Sequence, residues 1–164
     1  MIYLILETNE ILKTACPIWD FQNPPTHSGL LEGSMYSIMR ESHGIGLAAP
    51  QLGNLYRVFV MGDLEHSWTC VNPEILEKSI EEEIDVEGCL SFPNLHLKVK
   101  RSITIKVRYF NFDRKETIET LTGVWARCFQ HELDHLNGVV FTTKVSKLVL
   151  DMAKRKRNKK IDNH

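Results

Sequence analysis

The chain has 164 residues, of which 43% are hydrophobic and 25% charged, with a formal net charge of −1. This balance fits one soluble globular domain with an adequate core. No apolar run approaches the ~20 residues that cross a bilayer, and Met1–Leu6 lacks a basic flank and soon meets Glu7, unlike a signal peptide. Four cysteines (Cys16, Cys70, Cys89, Cys128) in a chain this long do not form a disulfide framework, so a reducing cytoplasm is expected. The charge is unevenly spread. From Lys144 onward eight Lys/Arg stand against Asp151 and Asp162, which leaves the remainder acidic.

Residues 1–25 read as an extended or irregular segment with a short helical turn, closed by Asn23-Pro24-Pro25. A helix is predicted from about Ser28 to Ser42, with Leu31, Met35, Ile38 and Met39 as its apolar stripe and Gly44 beyond its end. Gly44-Ile45-Gly46-Leu47-Ala48-Ala49-Pro50-Gln51 imitates a dinucleotide fingerprint. The context rejects that reading. A helix precedes the glycines where a strand is required, and Pro50 sits where the phosphate-binding helix would run. A tight loop is expected instead, whose small residues let backbone approach another group closely.

Strands are predicted at 56–62, 68–72 and roughly 75–84, with Asn72-Pro73 as a break. Others fall at about 95–100, at 103–112, where apolar and polar residues alternate, and at 116–121. The acidic run Glu81–Glu87 reads as a solvated strand or loop edge, and Pro93 as a turn. A helix N-capped by Thr122 follows, with Val124, Trp125, Cys128, Phe129 and Leu136 inward and Gly138 as its stop. A last helix begins near Val145, with Leu148, Val149 and Met152 inward, and turns basic over Lys154–Lys160. Several strands without crossover helices indicate an α+β fold. It is read as a single domain, residues 1–164, of mainly antiparallel or mixed strands around a central helix, ending in a basic helix from about 145.

The central helix carries His131-Glu132-Leu133-Asp134-His135. Residues at i and i+4 share one helix face, so His131 and His135 can hold one divalent metal with Glu132 beside it. A catalytic site of this kind usually takes three protein ligands and keeps one position open. The third ligand does not come from downstream: Phe141 stands where a metzincin has its third His, and no Glu follows Glu132. Cys128 lies about 10.5 Å along the axis from His135 at 1.5 Å per residue, too far to share an ion. It reads as a core residue, as do Cys16 and Cys70. Cys89 differs, following Gly88 near a turn with Glu87 available to brace its neighbours. A Cys-His-His site would leave room for water, whose pKa the metal lowers toward neutrality, and Glu132 would move its proton.

Three stretches, Gly44–Gln51, Glu87-Gly88-Cys89-Leu90-Ser91 and Gln130–His135, together resemble the peptide deformylase family. The resemblance implies a metal-dependent hydrolase that removes the formyl group from the N-terminal formylmethionine of new polypeptides and releases formate. It implies Cys89, His131 and His135 as metal ligands, in agreement with the elimination above. Glu132 would be the general base and acid, with the Gln51 amide and the Leu90 backbone N–H stabilising the oxyanion. Ile45, Gly46 and Gly88 would meet the substrate backbone in strand-like fashion, and Ile45, Glu87, Val124 and Cys128 would line the methionine pocket. Arg101 resembles the family's structural partner of Glu87.

The implied metal is Fe(2+) in cells, with Zn(2+), Ni(2+) or Co(2+) able to occupy the same donors. Expected partners are formyl-Met nascent chains and, through the basic tail, ribosomal RNA; no membrane is expected. Three alternatives stay open at this point. One is a binding protein with a structural metal, which would normally be closed by a fourth protein ligand. The others are an amidase for another small N-acyl group and a peptidase.

Overall fold

In the computed structural model, backbone is described for residues 3–161 and side chains through Lys159. Met1, Ile2, residues 162–164 and the side chains of Lys160 and Ile161, which include the end of the expected basic tail, lie outside the described residues. A 3-10 turn (Glu10–Lys13) precedes α1 (Ser28–Glu41) and β1 (Gly46–Ala48); a second (Ala49–Leu52) leads to β2 (Val58–Gly62) and β3 (Ser67–Lys78). Next come β4 (Glu82–Cys89), β5 (Phe92–Ser102), β6 (Thr104–Phe110), β7 (Glu116–Thr122) and α2 (Gly123–Leu136). A last 3-10 turn (Phe141–Lys144) precedes α3 (Lys147–Ile161). The fold is the expected α+β. β1-β2-β3-β6-β7 form an antiparallel five-stranded sheet, and β4-β5 a separate two-stranded one.

The apolar run of β2 is explained by burial on both faces. Phe59 and Met61 pack with Cys70, Ile105, Val107 and Leu121 against Ala126, Phe129, Leu133 and Leu136 of α2. Val58 and Val60, facing the other way, meet Leu31, Met35 and Met39 of α1. Helix α2 is thus clamped to one side of the sheet, with Phe59 and Phe129 edge-to-face at 5.0 Å. A third cluster joins Leu12, Phe92, Leu95, Leu97, Val99, Val140 and Phe141, with Leu150 and Ala153 of α3 laid over it.

Several local expectations need correction. The glycine-rich stretch is not only a loop: it supplies β1 and a 3-10 turn with Pro50 in its first positions. Asn72-Pro73 does not end a strand. Asn72 takes a positive φ of 50° and the ladder shifts register between Val71 and Glu74, so β3 continues through a bulge. The strand predicted over 75–84 is divided between β3 and β4, with residues 79–81 as the bend. Pro93 lies inside β5, and the turn falls earlier, at Leu90-Ser91. Thr122 precedes α2, yet its side chain makes no capping hydrogen bond.

Gly138 does stop the helix, at φ 71°; a Cβ there would stand 2.6 Å from the Lys13 carbonyl. On α3 the inward face is Leu150 and Ala153, whereas Leu148, Val149 and Met152 are 69%, 44% and 61% exposed. Arg157 helps set that rotation by pairing with Glu7 at 3.1 Å. Val124 also faces outward, 55% exposed on the rim of a cleft. No helix among the described residues is long and apolar enough to cross a membrane.

Candidate active site

The cleft encloses about 670 Å³ and runs between β1, the edge of β4 and the first three turns of α2. Ile45, Gly46, Gln51, Glu87, Gly88, Cys89, Leu90, Val124, Cys128, His131 and Glu132 all line it. His135 lies just behind. The donor atoms of Cys89, His131 and His135 all fall within 4.8 Å of one another. Cys89 Sγ stands 3.3 Å from His135 Nε2. Cys128 is not in this group; it is buried against the Ile45 carbonyl, 3.5 Å from its Sγ.

Glu87 organises the histidine side. Its Oε2 lies 3.0 Å from His131 Nδ1, which places the other ring nitrogen toward the donor cluster. Arg101 grips the same carboxylate with two bonds, Nε to Oε1 at 2.9 Å and Nη2 to Oε2 at 3.0 Å. Burial opposes ionisation of Glu87, but the His131 and Arg101 hydrogen bonds outweigh it and hold the pKa at about 2. Burial likewise opposes charge on His131, and the Cys89 and Glu87 hydrogen bonds reverse it, raising the pKa to about 10. A cation at this imidazole would have to displace that proton. Burial keeps His135 neutral, its pKa pushed well down, with the charges of His131 and Arg101 adding to the effect.

Glu132 is 4% exposed, and burial raises its pKa to about 7 despite the neighbouring His131 charge. Its Oε2 and His135 Nδ1 are buried polar atoms without a hydrogen-bond partner. Gly46 lies hard against this carboxylate: a Cβ there would meet Cys128 Sγ at 2.7 Å and Glu132 Oε1 closer still. Gln51 is 1% exposed, and its amide orientation is set by the Ala48 N–H donating to Oε1 at 2.8 Å. Nε2 therefore points toward Cys89 Sγ at 3.5 Å and Ser91 Oγ at 3.3 Å.

The Cys89 sulfur and two imidazoles, with the unpaired Glu132 carboxylate beside them, fit a divalent ion with one open position. Sequence reasoning missed Arg127, whose guanidinium ties α2 to Glu87 on the β4–β5 hairpin, and Asp134, which pairs with Arg101 at 2.5 Å. The available signal was a charged residue one turn before His131, on the helix face that carries both histidines.

An α+β domain with a buried His-Glu-x-x-His helix opening on such a cleft defines a metal-binding hydrolase. The family model described as polypeptide deformylase matches residues 4–150. Peptide deformylase 1 of Bacillus subtilis is 52% identical over 115 residues, spanning 69% of this chain and 71% of its own length. The crystal structure of the Thermotoga maritima peptide deformylase superposes with a TM-score of 0.80 at 39% identity, covering 89% of this chain and 98% of that one. A peptide deformylase from Synechococcus elongatus, in complex with actinonin, gives 0.85 at 30% identity, covering 96% and 86%. The chain belongs to the polypeptide deformylase family.

Proposed function

We propose that this one catalytic domain acts through Cys89, His131 and His135 as metal ligands and Glu132 as the proton-transfer group. As a member of its family the enzyme removes the formyl group from the N-terminal formylmethionine of newly made polypeptides. Fe(2+) is the ion proposed in cells, with Zn(2+), Ni(2+) or Co(2+) able to replace it on a mixed S/N donor set. Cys89, His131 and His135 would hold the ion, which would supply Lewis acidity and make water easier to deprotonate.

The chain's own groups do the rest. Glu132, with a pKa near 7, takes the proton as water adds to the formyl carbon. The Gln51 amide and the Leu90 N–H donate to the oxyanion that develops; such donors are each worth roughly 2.7–4 kcal/mol in comparable sites. Glu132 then returns the proton to the leaving nitrogen as the C–N bond breaks, giving formate and a free methionine amine. Ile45, Gly46 and Gly88 meet the peptide backbone as a neighbouring strand. Ile45, Val124 and Cys128 wall the methionine side chain. Glu87, ion-paired to Arg101 and Arg127, acts at that wall chiefly by orienting His131.

The observation that supports this most is the convergence of the three donor atoms within 4.8 Å beside an unpaired buried carboxylate oxygen. The finer reading also includes a cytoplasmic site of action and contact of the basic face of α3 with ribosomal RNA. Metal analysis of anaerobically purified protein, with formate release from formyl-Met peptides, tests the core of it. Stoichiometric iron or zinc, turnover, and inhibition by actinonin are expected. Full metal loading without formate release would overturn it.

A further inference from the structure

The proposed donors ride on two separate bodies: Cys89 ends β4 in the two-stranded sheet, while His131 and His135 stand on α2. At the root the two are tied by backbone. Ser79 N–H donates to the Thr104 carbonyl at 2.8 Å, Ile103 N–H to the Glu81 carbonyl at 3.1 Å, and Gly123 N–H to the Ile103 carbonyl at 3.0 Å. From Glu82 to Cys89 the strand then extends about 23 Å at ~3.3 Å per residue, so a tilt of roughly 3° at the root displaces the tip by about 1 Å. Metal donors tolerate only about 0.2 Å. The angle must therefore be held along the length of the hairpin.

We infer that Arg127 is a positioning residue that holds it. It stands one turn before His131 on the same face of α2. Its Nη1 donates to Glu87 Oε1 at 2.9 Å and to the Val99 carbonyl at 2.8 Å, and its Nη2 to the Glu83 carbonyl at 2.9 Å. One guanidinium thus grips both strands of the hairpin and the carboxylate that orients His131. Arg101 makes the reverse reach, from β5 to Asp134 near the far end of α2. The two ties run in opposite directions and meet α2 at residues 127 and 134, about 10.5 Å apart along its axis at 1.5 Å per residue, so together they fix an angle as well as a distance. The Arg127 side chain is 12% exposed, so water competes little for these bonds. A lysine offers one point charge and cannot serve three acceptors spread over a planar fork.

This role rests on Cys89, His131 and His135 as the metal ligands. The test is cobalt(II) titration of metal-free wild type, Arg127→Met, Arg127→Lys and Cys89→Ala, following the thiolate-to-cobalt absorption band. Affinity is read by chelator competition, and urea unfolding of each metal-free protein is run alongside. Arg127→Met is expected to lose roughly 10–100-fold in cobalt affinity, with a shifted band, as supports of metal ligands typically do. Arg127→Lys should recover part of that loss. Wild-type affinity and an unchanged band in the Arg127 variants, with only the unfolding midpoint lowered, would make Arg127 a structural residue and overturn the inference. Should Arg127→Met not fold, Arg127→Lys decides alone by the same readouts. A band absent from wild type, or retained in Cys89→Ala, would remove the ligand assignment itself and the positioning role with it.

Discussion

Glu87 Oε2 lies 3.0 Å from His131 Nδ1, joining a strand residue to a helix residue 44 positions later. The same carboxylate receives Arg101 and Arg127, so one buried anion serves three donors from two elements. Glu87→Gln keeps the size but supplies two N–H groups where acceptors are needed. Metal affinity should fall roughly 10–100-fold. Stability should fall by about 3–5 kcal/mol, because the largely buried Arg127 guanidinium loses its carboxylate, while Arg101 keeps Asp134. Chelator competition and urea unfolding measure the two separately; wild-type values in both would deny Glu87 this role.

Cys89→Ala should lose metal and turnover together. Cys128→Ala should keep the metal and lose about 1 kcal/mol of stability to a small cavity at a 6% exposed site. Metal content and thermal midpoints of the two proteins distinguish the residues, and the reverse pattern would exchange their roles.

Glu132→Gln should bind about one ion per chain, fold normally and still bind formyl-Met peptide. Turnover should fall by roughly 10²–10⁴, the range for loss of a positioned acid/base. A near wild-type rate with intact metal would remove Glu132 from proton transfer, and loss of metal would make it a ligand or a support.

Gly46→Ala places a methyl against Glu132 Oε1 and Cys128 Sγ, both inside 3 Å. Helix α2 is anchored through its opposite face, so the carboxylate should shift in place of the fold. The expected result is lowered kcat on a formyl-Met peptide with near-normal metal content. Unchanged kcat would mean that the carboxylate has room its surroundings do not show.

The exposed basic residues Arg155, Lys156 and Lys159 of α3 provide the ribosome test. Truncation before them would also remove the Arg157–Glu7 tie that docks the helix. A combined Arg155→Glu, Lys156→Glu, Lys159→Glu variant should lose salt-sensitive ribosome binding while keeping peptide turnover. Equal binding by variant and wild type across salt would dismiss the RNA contact.

The central helix and its i, i+4 histidines were legible because the geometry is local to one helix face. Cys89 was legible by elimination and by the Glu87–Ser91 stretch. The orientation of α3 was not. Leu148, Val149 and Met152 look like an apolar stripe, but the rotation follows docking of Leu150 and Ala153 and a pair with Glu7, 150 residues away. Arg127 escaped notice for the same reason: its carboxylate partner lies 40 positions upstream and across a gap that only the folded chain closes.

The hairpin and helix have a thermodynamic consequence beyond the site. Cys89 and His135, whose donor atoms lie 3.3 Å apart, are 46 residues apart in sequence. An ion shared between them is a removable crosslink closing a long loop, whose closure entropy the unfolded chain would otherwise retain. Ion capture and folding are then linked equilibria. At a free ion concentration 100-fold above its dissociation constant the folded state gains about 2.7 kcal/mol. Chelation would thus be felt as thermal fragility and protease sensitivity of the β4–β5 arm, in addition to silent chemistry, and cellular lifetime of the enzyme would follow metal supply.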